Sequence, residues 1–323
     1  MRLREAGERR LLEWIRRFFP GASWVRVGIG DDGAVLRLGR EEVVVCSDML
    51  VRSLDLPEGL DLFYLGWKAA ISSLSDLAAM GARPLALLFS LGLPPELEVR
   101  ELGRILMGIR RASSLHGVPV VGGDLSGCGE VVVGGMGVGR AERILTRKGA
   151  RPGDLVALTG EVGGAAGGLE VIRKGGKGPR ELVRRFLLPR ARIREGQILA
   201  REGATSALDL SDGLSSGAWR LAEESGVRIV LDPSSIPFPS SLRRLGGDLS
   251  PLELALHGGE DFELLFTLPP SRLPRVERAL RRVGGRVFPV GRVERGRGVF
   301  LGEEELPERG YEHYREPGRQ DLR

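Results

Sequence analysis

Apolar positions along the chain recur in two rhythms. Leu3, Leu11, Leu12, Ile15, Phe18 and Phe19 fall at helical spacing and stop at Pro20-Gly21, which predicts an amphipathic helix over 3–19. Short β-rich runs at 24–28, 34–38 and 42–47 predict strands, the last two joined across a turn at Gly39. Trp67, Ala70, Ile71, Leu74, Leu77 and Ala78 mark a helix over 66–80 that ends at Gly81-Ala82-Arg83-Pro84. A strand over 85–93, a helix over 96–116, a buried strand over 118–121 and a strand over 131–138 complete the first half.

A second half opens near Arg140. It carries strands over 154–159, 207–210, 228–231, 264–268 and 287–290, and helices over 169–173, 190–202 and 215–225. A loop is expected at 175–179. This alternation predicts an α/β or α+β class in both halves, with domains over 1–140 and 141–323. No solenoid-scale repeat is visible.

With 323 residues, 42% hydrophobic and 28% charged, the chain is expected to bury ordinary globular cores. No apolar run reaches membrane-spanning length, and the start, Met1-Arg2-Leu3-Arg4-Glu5, is charged rather than signal-like. Two cysteines, Cys46 and Cys128, without a CxxC pair, argue against a disulfide scaffold or a structural zinc site and fit a cytoplasmic setting. The net charge of +5 suggests nucleic acid only weakly: arginines alternate with glutamates, and aromatic residues make up 5% with no base-stacking pattern. A solvated basic surface, with no nucleic-acid or membrane partner, is the reading adopted.

Aspartates at turns change the picture. They occur in Gly28-Ile29-Gly30-Asp31-Asp32-Gly33, Ser47-Asp48, Ser75-Asp76, Gly122-Gly123-Asp124, Asp209-Leu210-Ser211-Asp212-Gly213 and Gly258-Gly259-Glu260-Asp261. Carboxylates set among glycines and serines cannot pack a core. If they converge, their repulsion is relieved only by protons or cations. Hard oxygen donors in number suggest Mg²⁺, and Mg²⁺ usually arrives with phosphates. Each residue also has a structural alternative: Asp31 or Asp32 as a turn residue, Asp76 as a solvated helix carboxylate, Lys68 and Arg147 as surface cations, Ser211 or Asp212 as an N-cap. The Gly163–Gly168 run suits either a phosphate cradle or close helix packing. His116, His257 and His313 are scattered, with no nucleophile pattern beside them.

The first motif formally matches the dinucleotide fingerprint, and Asp48 even lies 20 residues beyond Gly28. The fingerprint requires a helix after its glycines, whereas here Ala34-Val35-Leu36-Arg37-Leu38 reads as a strand. None of the four lysines, Lys68, Lys148, Lys174 and Lys177, follows a P-loop, which argues against a Walker-type NTPase as well.

Taken in order, the motifs resemble the thiamine-monophosphate kinase family, within the superfamily of aminoimidazole ribonucleotide synthetase. The segments that carry the resemblance are Gly28–Val35, Ser47–Val51, Ser73–Ala82, Gly122–Asp124, Leu145–Ala150, Pro152–Asp154, Asp209–Leu214 and Gly258–Leu264. Coverage runs from the N-terminal helix to Gly310-Tyr311. The resemblance implies a two-domain fold whose N-terminal sheet pairs into a dimer barrel. It implies ATP-dependent phosphorylation of thiamine monophosphate to thiamine diphosphate by in-line transfer, in a homodimer using several Mg²⁺ ions.

By the same resemblance, Asp32, Ser47, Asp48, Asp76, Asp124, Asp209 and Asp212 bind metal, Gly123, Asp124, Arg147 and Ser211 contact ATP, and Glu260 and Tyr311 face the thiamine moiety. No side chain serves as acid or base; Arg147 is a candidate transition-state stabiliser. The sequence departs from the family at Asp55, which stands where a substrate-facing histidine is common and where a carboxylate suits a thiazolium cation. A selenophosphate synthetase would carry a reactive N-terminal Cys and Lys. A carbamoyl-dehydrating maturation protein would carry a C-terminal Cys, and this sequence ends Gln320-Asp321-Leu322-Arg323. A non-catalytic nucleotide sensor is the alternative of a different class.

Overall fold

Along residues 41–51, buried and exposed positions alternate, placing Val44, Cys46 and Leu50 inward and Ser47 and Met49 outward. This strand is the spine of a six-stranded sheet in the computed structural model, which describes residues 2–19, 21–245 and 249–311. The strands are β1 (Val25–Val27), β2 (Ala34–Leu38), β3 (Glu41–Val51), β4 (Arg83–Leu93), β5 (Val120–Gly127) and β6 (Val132–Arg140), in the order β1-β2-β3-β6-β4-β5. All neighbours are antiparallel except β4 and β5.

One face of this sheet packs against the Phe63–Ala79 helix. Buried glycines on the inner face of β6, Gly135, Gly137 and Gly139, make that approach possible. A methyl group on Gly135 would sit 2.6 Å from Ser73 Oγ and 3.0 Å from the Ala69 carbonyl. The missing side chains therefore let the helix descend onto the sheet and bring Asp76 beside β3. Among the described residues the opposite face carries no layer and leaves Met49 and Met136 exposed.

The second sheet has seven strands, β7 (Leu155–Leu158), β8 (Ser206–Asp209), β9 (Arg228–Leu231), β10 (Leu264–Leu268), β11 (Phe288–Glu294), β12 (Gly298–Leu301) and β13 (Glu304–Glu305). Their order is β13-β12-β9-β11-β7-β10-β8, with only β9 and β12 parallel. All five residues of β10 are buried, because both faces are covered. One face shares a core with the Phe63–Ala79, Ile193–Glu202 and Leu273–Arg281 helices; the other packs on the Leu214–Ser225 helix. The α/β class with mixed sheets is as expected, and neither sheet closes into a barrel among the described residues.

Several local expectations are corrected. The 3–19 helix is two helices, Leu3–Ala6 and Glu8–Phe18, broken at Gly7 with φ 74°. Pro20, its expected stop, lies outside the described residues, as do His313 and the end of the chain. Strand β3 continues past 47, so Asp48 sits mid-strand opposite Gly135 rather than at a tip. The expected buried strand at 118–121 is β5, which runs on through Asp124 and is exposed throughout. Its valines signalled a core, but an edge strand lacks a covering layer. The Gly163–Gly168 run belongs largely to the Gly164–Arg173 helix itself. The helices Arg180–Leu187, Pro251–His257 and Leu273–Arg281, and strands β12 and β13, were not anticipated.

Replacing Gly135 by alanine is expected to cost about 1–3 kcal/mol by overpacking against the Phe63–Ala79 helix. Chemical denaturation checks this: an unchanged midpoint would show that the helix does not rest on the glycine stripe.

Candidate active site between the two sheets

Four segments deliver carboxylates to one place. The Asp31-Asp32 turn precedes β2, Asp48 lies on β3, Asp76 on the Phe63–Ala79 helix, and Asp209 ends β8. Carboxylate oxygens of Asp32, Asp76 and Asp209 all lie within 4.8 Å of one another. Ser75 Oγ donates to Asp209 Oδ2 at 2.6 Å, which ties the helix to the second sheet. The Arg147 guanidinium pairs with Asp32 Oδ1, and the Arg147 backbone N–H donates to Asp31 Oδ2 at 3.1 Å. Asp32 Oδ2 is buried and has no hydrogen-bond partner among the described residues.

This arrangement is electrostatically expensive. Burial, then the neighbouring Asp32 charge, push Asp209 up to about 8. Burial, then Asp32, raise Asp31 to about 7. Asp76 is raised well above the usual carboxylate range by burial and by Asp48, Asp209 and Asp32. Burial opposes the charge on Arg147, but Asp32 and Asp31 outweigh it and hold the guanidinium charged. The Cys46 thiol, donating to the Ser73 carbonyl at 3.2 Å, is pushed up by burial and by Asp76 and Asp48, so it stays protonated and is a poor ligand. Clustered hard oxygens with an unsatisfied buried Asp32 Oδ2 fit a divalent cation such as Mg²⁺.

A second constellation flanks the first. Glu260 and Phe262 hold positive φ, 65° and 51°, a costly conformation for residues with side chains. Their segment is pinned to the loop after β8: Glu260 N–H donates to the Ser211 carbonyl at 2.7 Å and Phe262 N–H to the Leu210 carbonyl at 3.0 Å. A methyl group on Gly259 would stand 2.4 Å from the Ser211 carbonyl, so only glycine permits this contact. Lys68, expected as a surface cation, is instead 1% exposed, and its Nζ lies 2.8 Å from Glu260 Oε2. Glu260 and Asp55 line a cavity of about 180 Å³ with Leu56, Leu169, Arg173 and Phe186. Asp55 is buried and accepts the Val51 N–H at 2.7 Å.

Residues 30–141 match the family AIR synthase related protein, N-terminal domain, and residues 151–303 its C-terminal domain. The chain is 38% identical over 289 residues to the thiamine-monophosphate kinase of Pyrococcus horikoshii, covering 88% of this chain and 90% of that protein. It is 33% identical over 321 residues to the Aquifex aeolicus thiamine-monophosphate kinase, covering 97% and 100%. The chain belongs to the thiamine-monophosphate kinase family. The solved structure of AaThiL complexed with AMPPCP and TMP superposes with a TM-score of 0.88 at 33% identity, over 97% of this chain and 99% of that one.

Other expected site residues of this family member are spread more widely. Ser47 is exposed on the face of β3 opposite Cys46 and Asp48. Gly123 and Asp124 lie on exposed β5, the third strand from β3 in the sheet order. Gly123 is required by a backbone contact, since a methyl group there would meet the Phe89 carbonyl at 1.7 Å. Neither Ser211 nor Asp212 caps the Leu214–Ser225 helix, whose N-cap is Gly213. Asp212 pairs with Arg220 at 2.8 Å and its carbonyl accepts the Tyr311 N–H at 3.3 Å. Tyr311 and Arg147 line a separate cavity of about 430 Å³, bordered by Arg16 and Glu224. The helix start at Gly163–Ala165 is filled by Asp261, which accepts the Gly163 N–H and, at 3.0 Å, the Ala165 N–H. That favours packing over a phosphate cradle.

Sequence reading missed Lys68. The available signal was its position: Lys68 and Ser75 stand seven residues apart, so two helical turns place both on one face.

The raised carboxylates set a pH dependence. From about pH 4 to about pH 8 the folded, metal-free protein keeps protons that its unfolded chain has lost, so its stability falls as pH rises through that window. The melting temperature of chelator-treated protein is expected to drop by several degrees from about pH 6 to about pH 8.5. Added Mg²⁺ should close the gap, and Asp209→Asn should flatten it. A melting temperature independent of both would rule out this electrostatic account.

Proposed function

We propose that this protein transfers the γ-phosphoryl group of ATP to thiamine monophosphate, giving thiamine diphosphate and ADP. The observation that carries the reading is the convergence of Asp32, Asp76 and Asp209 beside Arg147 in a chain that aligns along nearly its whole length with thiamine-monophosphate kinases. AMPPCP, an ATP analogue, and TMP in the AaThiL complex support both substrates.

The acceptor is a phosphate oxygen of the substrate, already anionic, so no strong base is needed. The transfer forms a bond from that oxygen to the γ-phosphorus and breaks the bond to the β–γ bridging oxygen, with in-line geometry. Asp32, Ser47, Asp48, Asp76, Asp124, Asp209 and Asp212 are the residues that would hold several Mg²⁺ ions. Bound Mg²⁺ would neutralise the facing phosphates and orient their oxygens. Gly123, Asp124, Arg147 and Ser211 would contact ATP. Arg147, paired with Asp32, would balance charge as it builds on the transferring group. Asp55, Glu260 and Tyr311 would receive the thiamine moiety.

The domains are assigned as 1–140, for metal, ATP and dimerisation, and 141–323, which completes the substrate site. A homodimer accounts for the bare outer face of the first sheet, with Met49 and Met136 covered by a second copy. A cytoplasmic location agrees with two unpaired cysteines and with no helix among the described residues long and apolar enough to cross a membrane.

Purified protein is expected to form thiamine diphosphate from thiamine monophosphate, ATP and Mg²⁺, followed by chromatography of the product. Binding of Mg-ATP without product would favour the nucleotide-sensor alternative. Asp48→Asn is expected to lower kcat by about a hundredfold or more with the fold retained. Unchanged activity and Mg²⁺ dependence would remove Asp48 from the site.

A further inference from the structure

We propose that Lys68 is a positioning residue for substrate recognition, holding the Glu260 carboxylate in the orientation in which it receives the cationic end of the substrate. This rests on the reading that Glu260 faces the thiamine moiety. The Lys68 ammonium donates to Glu260 Oε1 at 3.0 Å and Oε2 at 2.8 Å, and to the Asp55 carbonyl at 3.5 Å. Below it, the Phe186 ring centroid lies 3.5 Å away. An ammonium so enclosed does not reach a ligand in the neighbouring cavity; whatever it does for the substrate passes through Glu260 and the Asp55 turn, both of which line that cavity.

Two further features indicate more than packing. Glu260 carries its carboxylate on a left-handed backbone, a conformation that persists only where surrounding contacts over-determine it. The Lys68 pair fixes the side chain, while the Ser211 carbonyl fixes the backbone N–H. The Phe63–Ala79 helix also spans both parts of the site. Ser75 at one point bonds Asp209 of the carboxylate cluster, and Lys68 two turns earlier bonds Glu260. At about 1.5 Å per residue the two contacts stand about 10 Å apart along the axis. One rigid helix thus sets the separation between the phosphate-handling carboxylates and the carboxylate that meets the substrate's other end.

Steady-state kinetics on the full chain would compare wild type, Lys68→Met, Glu260→Gln and the double variant. Lys68→Met is expected to raise KM for thiamine monophosphate about 10- to 100-fold, the loss of a charge-assisted hydrogen bond. KM for ATP and kcat should move by less than about threefold, and the double variant should match Glu260→Gln within about twofold, since Lys68 acts through that side chain. An unmoved KM for thiamine monophosphate in Lys68→Met, or a parallel loss in kcat and both KM values, overturns the assignment. If Lys68→Met does not fold, the double variant decides, because it leaves neither charge buried alone: a KM well above that of Glu260→Gln overturns the proposal, and equality supports it. A wild-type protein that makes no thiamine diphosphate defeats the kinase reading and the Lys68 assignment with it. An active wild type with an unmoved Lys68→Met KM defeats the Lys68 assignment alone.

Discussion

Repulsion between buried carboxylates is the constraint on which the rest of the site depends. Asp32, Asp76 and Asp209 share a space in which their oxygens lie within 4.8 Å, and Asp48 adds its charge to two of them. Two unit charges about 4 Å apart repel by about 4 kcal/mol at a protein-like dielectric, so the folded chain must hold protons, Arg147 or a cation there. Only the remainder of the fold makes such crowding stable. The glycine stripe on β6 lets one helix approach, and the Ser75–Asp209 bond fixes that helix against the second sheet. The fold therefore crowds these carboxylates together before any ligand arrives.

The same helix organises a second buried charge system. Breaking a buried ion pair by removing one partner typically costs about 3–5 kcal/mol, so Lys68 and Glu260 commit the first and second sheets to one relative placement. The pair is weak evidence of stability gained, since an apolar pair could pack as well. Its value is geometric. A carboxylate on a left-handed backbone, held by Lys68 at its side chain and by the Ser211 carbonyl at its backbone N–H, has a defined direction before any ligand arrives.

Much of the fold was legible because long periodic segments report their own burial. The strands at 228–231 and 264–268 were read to the residue, and the 66–80 helix was read three residues late at its start, Phe63, each having an apolar pattern that only one element satisfies. Strand β5 was misread for the converse reason: valines beside glycines signal a core unless the chain reveals that no layer covers them. The glycine run at 163–168 hid a helix start, since glycine lowers helix propensity while permitting the close packing found there.

The acids divide in the same way. Gly-Asp-Asp-Gly, Ser-Asp and Asp-Leu-Ser-Asp-Gly marked acids out of place in a core, and the family resemblance singled out Asp32, Asp48, Asp76 and Asp209 among them. Sequence by itself determined the family, the carboxylate-rich character of the candidate site and the type of the long periodic elements. Tertiary structure alone decided which carboxylates meet, that Arg147 turns to Asp32, that Ser47 and Asp124 lie on other surfaces, and that Lys68 is buried against Glu260. The reason is physical: residue type sets what a side chain can do, but repulsion, desolvation and pairing depend on distances between segments far apart in the chain, and only the packed fold fixes those.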